Sequence, residues 1–231
     1  MAKETALIVG AGSGLSAALA RACAKQGMAV ALAARDTAKL GSIAAETGAR
    51  AYRCDAAEPD DVRALFNALD DDFGALDLAV YNASYRTRGP FAELDPAEVE
   101  KSLTVTAYGG FLVAQEAAKR MLARGRGSIL LTGASASVKG YAQSAPFAMG
   151  KFALRGLAQS MARELAPRNI HVAHFVIDGG IRRGEVDPRG ERGEGGFLDP
   201  DAIAETYLQI HRQHRSAWTW EVELRPWTEK F

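Results

Sequence analysis

Cysteine is almost missing: Cys23 and Cys54 are the only two in 231 residues, and both fall inside apolar stretches. They supply neither a disulfide framework nor a zinc cluster, and read as small buried hydrophobes. Histidine is nearly as scarce, with four residues. His171 and His174 fall in a predicted strand, and His211 and His214 lie three apart on a predicted helix with no third ligand in view, so no metal site is expected. Neither charge is in excess, since 28 Lys and Arg face 28 Asp and Glu, and the basic surplus of a nucleic-acid-binding protein is absent. No apolar run approaches the roughly 18–20 residues of a membrane helix. The opening MAKETALIVG has neither the basic region nor the long apolar stretch of a signal peptide. A cytoplasmic protein without a membrane or nucleic-acid partner is expected.

What remains is ordinary globular material, 48% hydrophobic and 24% charged, enough for a continuous core. At a prior of roughly 150 residues per domain, residues 1–231 form one domain. Short apolar runs at Thr5–Gly10, Ala29–Ala34, Arg50–Cys54, Leu76–Tyr81, Ser128–Thr132 and Ile170–Ile177 alternate with helical patterns. That alternation predicts βαβ units and a mostly parallel sheet, with nearly uniformly apolar strands covered on both faces. The stretch Ala217–Trp227 alternates Trp218, Trp220, Val222 and Leu224 with Thr219, Glu221, Glu223 and Arg225, and predicts an edge strand with one polar face. The fold class is therefore α/β, a doubly wound parallel sheet of about seven strands with helices on both faces.

Helices are predicted from Leu15 to near Gly27 and over Thr37–Glu46, Pro59–Asp70, Val105–Ala123 and Pro146–Ala166, the last with Ser144 as its cap and Pro146 in its first turn. Residues 178–200 are rich in glycine and charge and read as a mobile substrate loop or lid. Its Arg182, Arg183, Arg189 and Arg192 either are solvated or grip an anionic substrate.

The segment Gly10-Ala11-Gly12-Ser13-Gly14 follows an apolar strand and opens a helix. Backbone N–H groups and the positive helix end converge there, where a pyrophosphate gains most, and glycine lets the backbone come close to it. From this turn to the last strand the chain resembles the short-chain dehydrogenase/reductase family, whose fold is a single Rossmann-like domain. The family's Thr-Gly-x-x-x-Gly-x-Gly turn is matched by Val9 to Ser16, with Gly10 and Gly14 kept and Val9 and Ser16 in place of threonine and glycine. Tyr81-Asn82-Ala83-Ser84 resembles the family's Asn-Asn-Ala-Gly segment.

The resemblance implies a nicotinamide dinucleotide held by Gly10, Gly12, Ser13, Gly14 and Leu15 at the phosphates. It places Asp55 and Ala56 beside the adenine, with Asn82, Ala83, Lys151, Gly179 and Ile181 completing the cofactor contacts. Ala34 stands where NAD-preferring relatives carry an aspartate and Arg35 where NADP-preferring relatives carry a base. Arginine pairs with a 2′-phosphate that aspartate would repel, so NADP(H) is preferred over NAD(H).

In the family a tyrosine four residues before a lysine transfers the proton. Here the stretch reads Phe147-Ala148-Met149-Gly150-Lys151, so the lysine is kept and the tyrosine is Phe147. A phenyl ring transfers no proton, and such help is typically worth about 10² to 10⁴ in rate. Thr106 stands at the family's asparagine position and Ala134 at its serine, with Ser135 adjacent. Relatives that reduce enoyl thioesters place their tyrosine where Ser144 lies. Lys151, Tyr141, Ser135 or a held water are the remaining proton-donor candidates, with Tyr85 a further one.

Three readings stay open. One is a divergent NADP(H)-dependent oxidoreductase acting on a small carbonyl or alcohol through a non-standard donor. The second is a non-catalytic dinucleotide-binding sensor or regulatory subunit, and the third keeps the fold and drops the cofactor. Relatives pair through the two long helices, which implies a homodimer or homotetramer.

Overall fold

The computed structural model describes residues 3–184, 187, 190 and 193–229. Seven strands, β1 (Thr5–Val9), β2 (Ala29–Ala34), β3 (Arg50–Arg53), β4 (Leu78–Tyr81), β5 (Gly127–Thr132), β6 (Ile170–Ile177) and β7 (Glu221–Leu224), form one sheet in the order β3-β2-β1-β4-β5-β6-β7. Every neighbouring pair is parallel. From the centre the chain winds outward one way through β1, β2 and β3, then the other way from β4. The carboxyl ends of β1 and β4 therefore diverge into a crevice, the place where ligands bind in such sheets.

Period-two geometry divides the strand side chains between two cores. Ala6 and Ile8 of β1 pack with Leu19 of α1 (Leu15–Lys25), Ile43 of α2 (Gly41–Thr47) and Leu208 of α7 (Pro200–His211). Leu7 and Val9 point the other way, toward Phe66 of α3 (Pro59–Phe73), Val113 of α5 (Gly109–Arg124) and Leu154 of α6 (Ala145–Leu165). Phe175 of β6 stacks on Tyr207 of α7 with ring centroids 3.5 Å apart. The Tyr207 hydroxyl lies 2.9 Å from Thr132 Oγ1, which ties α7 to the end of β5.

Several boundaries differ from the sequence reading. The predicted Thr37–Glu46 helix divides into a 3₁₀ turn, Ala38–Leu40, and α2. The predicted Val105–Ala123 helix starts as a π-helical turn, Thr104–Tyr108, before α5. A helix not anticipated, α4 (Pro96–Leu103), precedes that turn, although its start is spelled out: Asp95 accepts the Ala97 N–H at 2.9 Å and Pro96 follows the cap. Ser144 occupies the N-cap position of α6, but its buried side chain makes no capping bond.

The predicted edge strand Ala217–Trp227 is shorter than expected. Only Glu221–Leu224 pairs, because Arg215–Ala217 forms a 3₁₀ turn and the Trp218 ring lies flat on His171, 4.6 Å between centroids. His214 falls beyond α7, so it and His211 do not share a helix. Cys23 and Cys54 are buried, and burial pushes both thiols up to about 12. Among the described residues no group of three His, Cys, Asp or Glu is placed to hold a metal, and no helix is long and apolar enough to cross a membrane.

The β7 edge is pinned through Glu221. Arg155 of α6 donates to its two carboxylate oxygens at 2.6 and 2.7 Å, and His174 Nδ1 lies 3.0 Å from Oε2. His174 is fully buried, and burial lowers its imidazole to about 4. Desolvation outweighs the carboxylate there because Arg155 already engages that charge. An unfolded histidine titrates near 6.5, so between that pH and about 4 the unfolded chain binds a proton that the folded chain refuses. The stabilisation is complete above the unfolded pKa and is lost on acidification. Urea unfolding should show stability falling between pH 7 and pH 5, with His174 alone contributing about 2 kcal/mol. A midpoint that rises toward pH 5, or a His174→Gln chain with the same pH dependence as wild type, would run against this assignment.

Candidate functional site

Two adjoining cavities open at the carboxyl edge of the sheet, of about 1020 and 530 Å³. They share Gly10, Gly12, Ser13 and Asn82, so the glycine turn lies between them and suits the middle of an elongated ligand. Gly10 has φ +83°, and a Cβ there would stand 2.4 Å from the backbone nitrogen of Ala83. A Cβ on Gly12 or Gly14 would meet nothing within 4 Å. Helix α1 then begins at Leu15 with no side-chain cap and no acid in its first turn. Its first N–H groups and its positive end are left to an anion.

Ser16, a departure from the family's turn, is built into this site. Its hydroxyl donates to the Gly10 carbonyl at 3.1 Å and accepts from Asn82 Nδ2 at 2.8 Å, while the Asn82 N–H donates to the Val9 carbonyl at 2.8 Å. The side chain that replaces glycine thus clasps the start of α1 to the end of β4.

The smaller cavity is bordered by Arg35, Asp55, Ala56 and Ala83. Asp55 is held in a turn, accepting the Ala57 N–H at 3.0 Å, with its own N–H given to Asp61 at 2.9 Å. Arg35 is exposed, and no carboxylate pairs with it among the described residues. The adjacent Asp36 is occupied by its own turn: Oδ1 accepts the Ala38 N–H at 3.1 Å and Oδ2 lies 3.2 Å from Lys39 Nζ.

The larger cavity brings together Leu15, Ser135, Tyr141, Phe147, Lys151 and, past β6, Gly179 and Ile181. Lys151 is buried and its Nζ donates to the Thr132 carbonyl at 2.6 Å. Burial lowers its ammonium to about 8. The Phe147 ring centroid lies 5.8 Å from that nitrogen. Tyr141 borders the opening beside Lys139, which is anchored to buried Asp178 at 3.3 Å. Ala134 borders it too, giving its N–H to Ser137 Oγ at 3.1 Å.

Thr106 is not brought to this group. It is fully buried in the π-helical turn against Gly150, and its hydroxyl accepts the Tyr85 N–H at 3.2 Å, so packing claims a side chain expected at the reaction centre. Tyr85 gives its own hydroxyl to Glu98 at 2.5 Å and borders neither cavity. Within 178–200, Arg182 and Arg183 border the larger cavity and Ile181 pairs with Leu198, whereas Arg189 and Arg192 lie outside the described residues. One wall residue escaped the sequence reading. The Arg86 guanidinium sits 4.7 Å from the centroid of Phe147. In TyrArgThrArgGly it looks like any solvated basic loop, and only the fold carries it to a ring 61 positions away.

The family model for short chain dehydrogenases matches residues 4–182. A 2,5-dichloro-2,5-cyclohexadiene-1,4-diol dehydrogenase of Sphingobium indicum is 32% identical over 213 residues, 90% of this chain and 82% of that protein. Among solved structures, a short-chain dehydrogenase from Rhodopseudomonas palustris is 36% identical with a TM-score of 0.83, covering 96% of this chain and 99% of the other. A metagenomic short-chain oxidoreductase solved with NADP is 27% identical with a TM-score of 0.83, covering 98% of each chain.

The Gly10 contact can be tested apart from any ligand. Gly10→Ala should destabilise the chain by at least about 2 kcal/mol, from the left-handed backbone and the collision with Ala83. Gly12→Ala should leave the unfolding midpoint within about 0.5 kcal/mol of wild type. Equal stability of all three proteins in urea would show that the turn and Ala83 are not in contact.

Proposed function

The chain belongs to the short chain dehydrogenase family, and from that premise we propose that it is an NADP(H)-dependent oxidoreductase of a small carbonyl or alcohol in which Lys151 handles the proton. The observation that carries this is the Lys151 amine, buried beside the cleft, lowered to about 8 and held by a backbone carbonyl with no tyrosine hydroxyl between it and the open space. A pKa near the working pH is what a general acid–base group needs.

When bound, the dinucleotide supplies a hydride to a carbonyl carbon or takes one from an alcohol carbon. The fit rests on the Gly10–Gly14 turn, whose open side and uncapped helix start suit a pyrophosphate. Arg35 is left for a 2′-phosphate because Asp36 is neutralised by its turn and by Lys39. Asp55, Ala56, Asn82 and Ala83 flank the adenine side, and Gly179 and Ile181 the other. The Thr132 carbonyl takes one of the three Lys151 N–H bonds and so aims the rest. The ammonium gives a proton to the carbonyl oxygen in reduction, and the free amine takes it back in oxidation. Ser135 and Tyr141 border the same space and orient the oxygen in this reading.

The diol dehydrogenase relative and the neighbour solved with NADP support this reading. Pairing of two or four copies through α5 and α6 is supported by exposed apolar side chains there, Phe111, Met149 and Phe152, with Tyr108 stacked on Phe111. The alternative, a non-catalytic dinucleotide sensor or regulatory subunit, draws on Phe147 lacking a hydroxyl and on the burial of Thr106.

Two measurements test the proposal. By fluorescence titration NADPH should bind more tightly than NADH, and Arg35→Ala should weaken NADPH about tenfold or more while hardly changing NADH. Equal losses would remove the 2′-phosphate role. With the dinucleotide saturating, NADPH for reduction and NADP+ for oxidation, reduction of small aldehydes and ketones should fall as pH rises through about 8, where Lys151 loses its proton, and oxidation of alcohols should rise. Lys151→Met should slow both by about 10²-fold or more. NADPH binding without turnover of any aldehyde, ketone or alcohol would favour the sensor.

A further inference from the structure

Each charged side chain bordering the larger cavity is a cation: Arg86, Lys151, Arg182 and Arg183, with no Asp or Glu among the described residues that form its wall. Such a cleft concentrates anions. The nucleotide phosphates account for part of this charge, since Arg182 and Arg183 follow Gly179–Ile181 and border the same cavity as the glycine turn. They do not account for Arg86. It borders only the larger cavity, in company with Phe147, Tyr141 and Lys151, whereas the smaller cavity has Arg35 and Lys39 of its own.

Arg86 also has an unusual setting. Its guanidinium lies 4.7 Å from the Phe147 centroid, and no carboxylate pairs with it among the described residues. Although Arg86 is exposed overall, loss of water on its cavity side and the nearby Arg88 both disfavour its charge, yet a guanidinium stays protonated. A guanidinium over a ring face keeps N–H groups that no carboxylate here has claimed, and they match a carboxylate or phosphate in a two-pronged grip.

Resting on the oxidoreductase reading above, we propose that Arg86, stacked on Phe147, is the specificity residue for a substrate that carries an anionic oxygen group, a carboxylate or a phosphate, next to the reacting carbon. The position occupied by tyrosine in the family's pattern here gives up proton transfer and becomes the platform of a binding guanidinium. Arg86 holds the anion while Lys151, 5.8 Å from the centroid of the same Phe147 ring, serves the neighbouring oxygen.

Calorimetric titration of the NADP+-loaded protein, which holds no hydride to give a carbonyl, with 2-oxobutanoate, dihydroxyacetone phosphate and uncharged butan-2-one tests this. At least one anion should bind about tenfold or more tightly than butan-2-one, and which one identifies the group as carboxylate or phosphate. Arg86→Gln, at an exposed position, should abolish that advantage and leave NADPH affinity unchanged. Phe147→Leu should reduce it about two- to fivefold by removing the ring face. Equal affinity for charged and uncharged probes would overturn the proposal. So would an anion preference that survives Arg86→Gln, or a loss of NADPH affinity in Arg86→Gln equal to the loss for the anion. The same titrations on nucleotide-free protein separate the two readings. If NADPH fails to bind, the oxidoreductase reading falls, while the dependence of anion binding on Arg86 is still measured.

Discussion

Gly10 lies so close to the backbone of Ala83 that no side chain fits between the ends of β1 and β4. This contact brings two strands from different halves of the sheet to one point before they part, and the crevice begins there. It also sets where α1 starts, and hence where its unpaired N–H groups point. Ser16 and Asn82 brace the same junction by hydrogen bonds. The two cavities meet at this junction, so each depends on it for its distance from the other.

Desolvation is the second organising force, and α6 carries it in a single stripe. Phe147, Lys151 and Arg155 follow one another at four-residue spacing and so share a helix face. The first faces the open cleft, the second is buried at its floor, and the third reaches Glu221 at the sheet edge. Burial lowers both Lys151 and His174, with different results. His174 is kept neutral beside an ion pair, and its role is to hold β7. Lys151 borders open space, the setting that the proposed proton transfer needs.

Much of the fold was legible because the strands are short apolar runs and their order follows from βαβ winding. Ala29–Ala34 and Ile170–Ile177 agree with the sequence reading residue for residue. The failures have physical causes. The pattern from Trp218 to Leu224 alternates well beyond the strand, because Trp218 gains more by lying on His171 than by continuing the ladder. The helix α4 went unread although Asp95 and Pro96 announce it, since eight residues carry too little periodicity to stand out. Thr106 was placed by likeness of motif, whereas the π-helical turn around it directs its side chain into the packing beneath α6.

The sequence by itself determined the layers, the glycine turn and the presence of a lysine four residues after a phenylalanine, because these depend on local spacing and on steric limits of single residues. Only the tertiary structure decided that Ser16 compensates for its own departure, that Thr106 is withdrawn, and that Arg86 sits over Phe147. Those outcomes depend on distance between segments far apart in the chain and on how much water each group loses, and neither quantity is written in the order of residues.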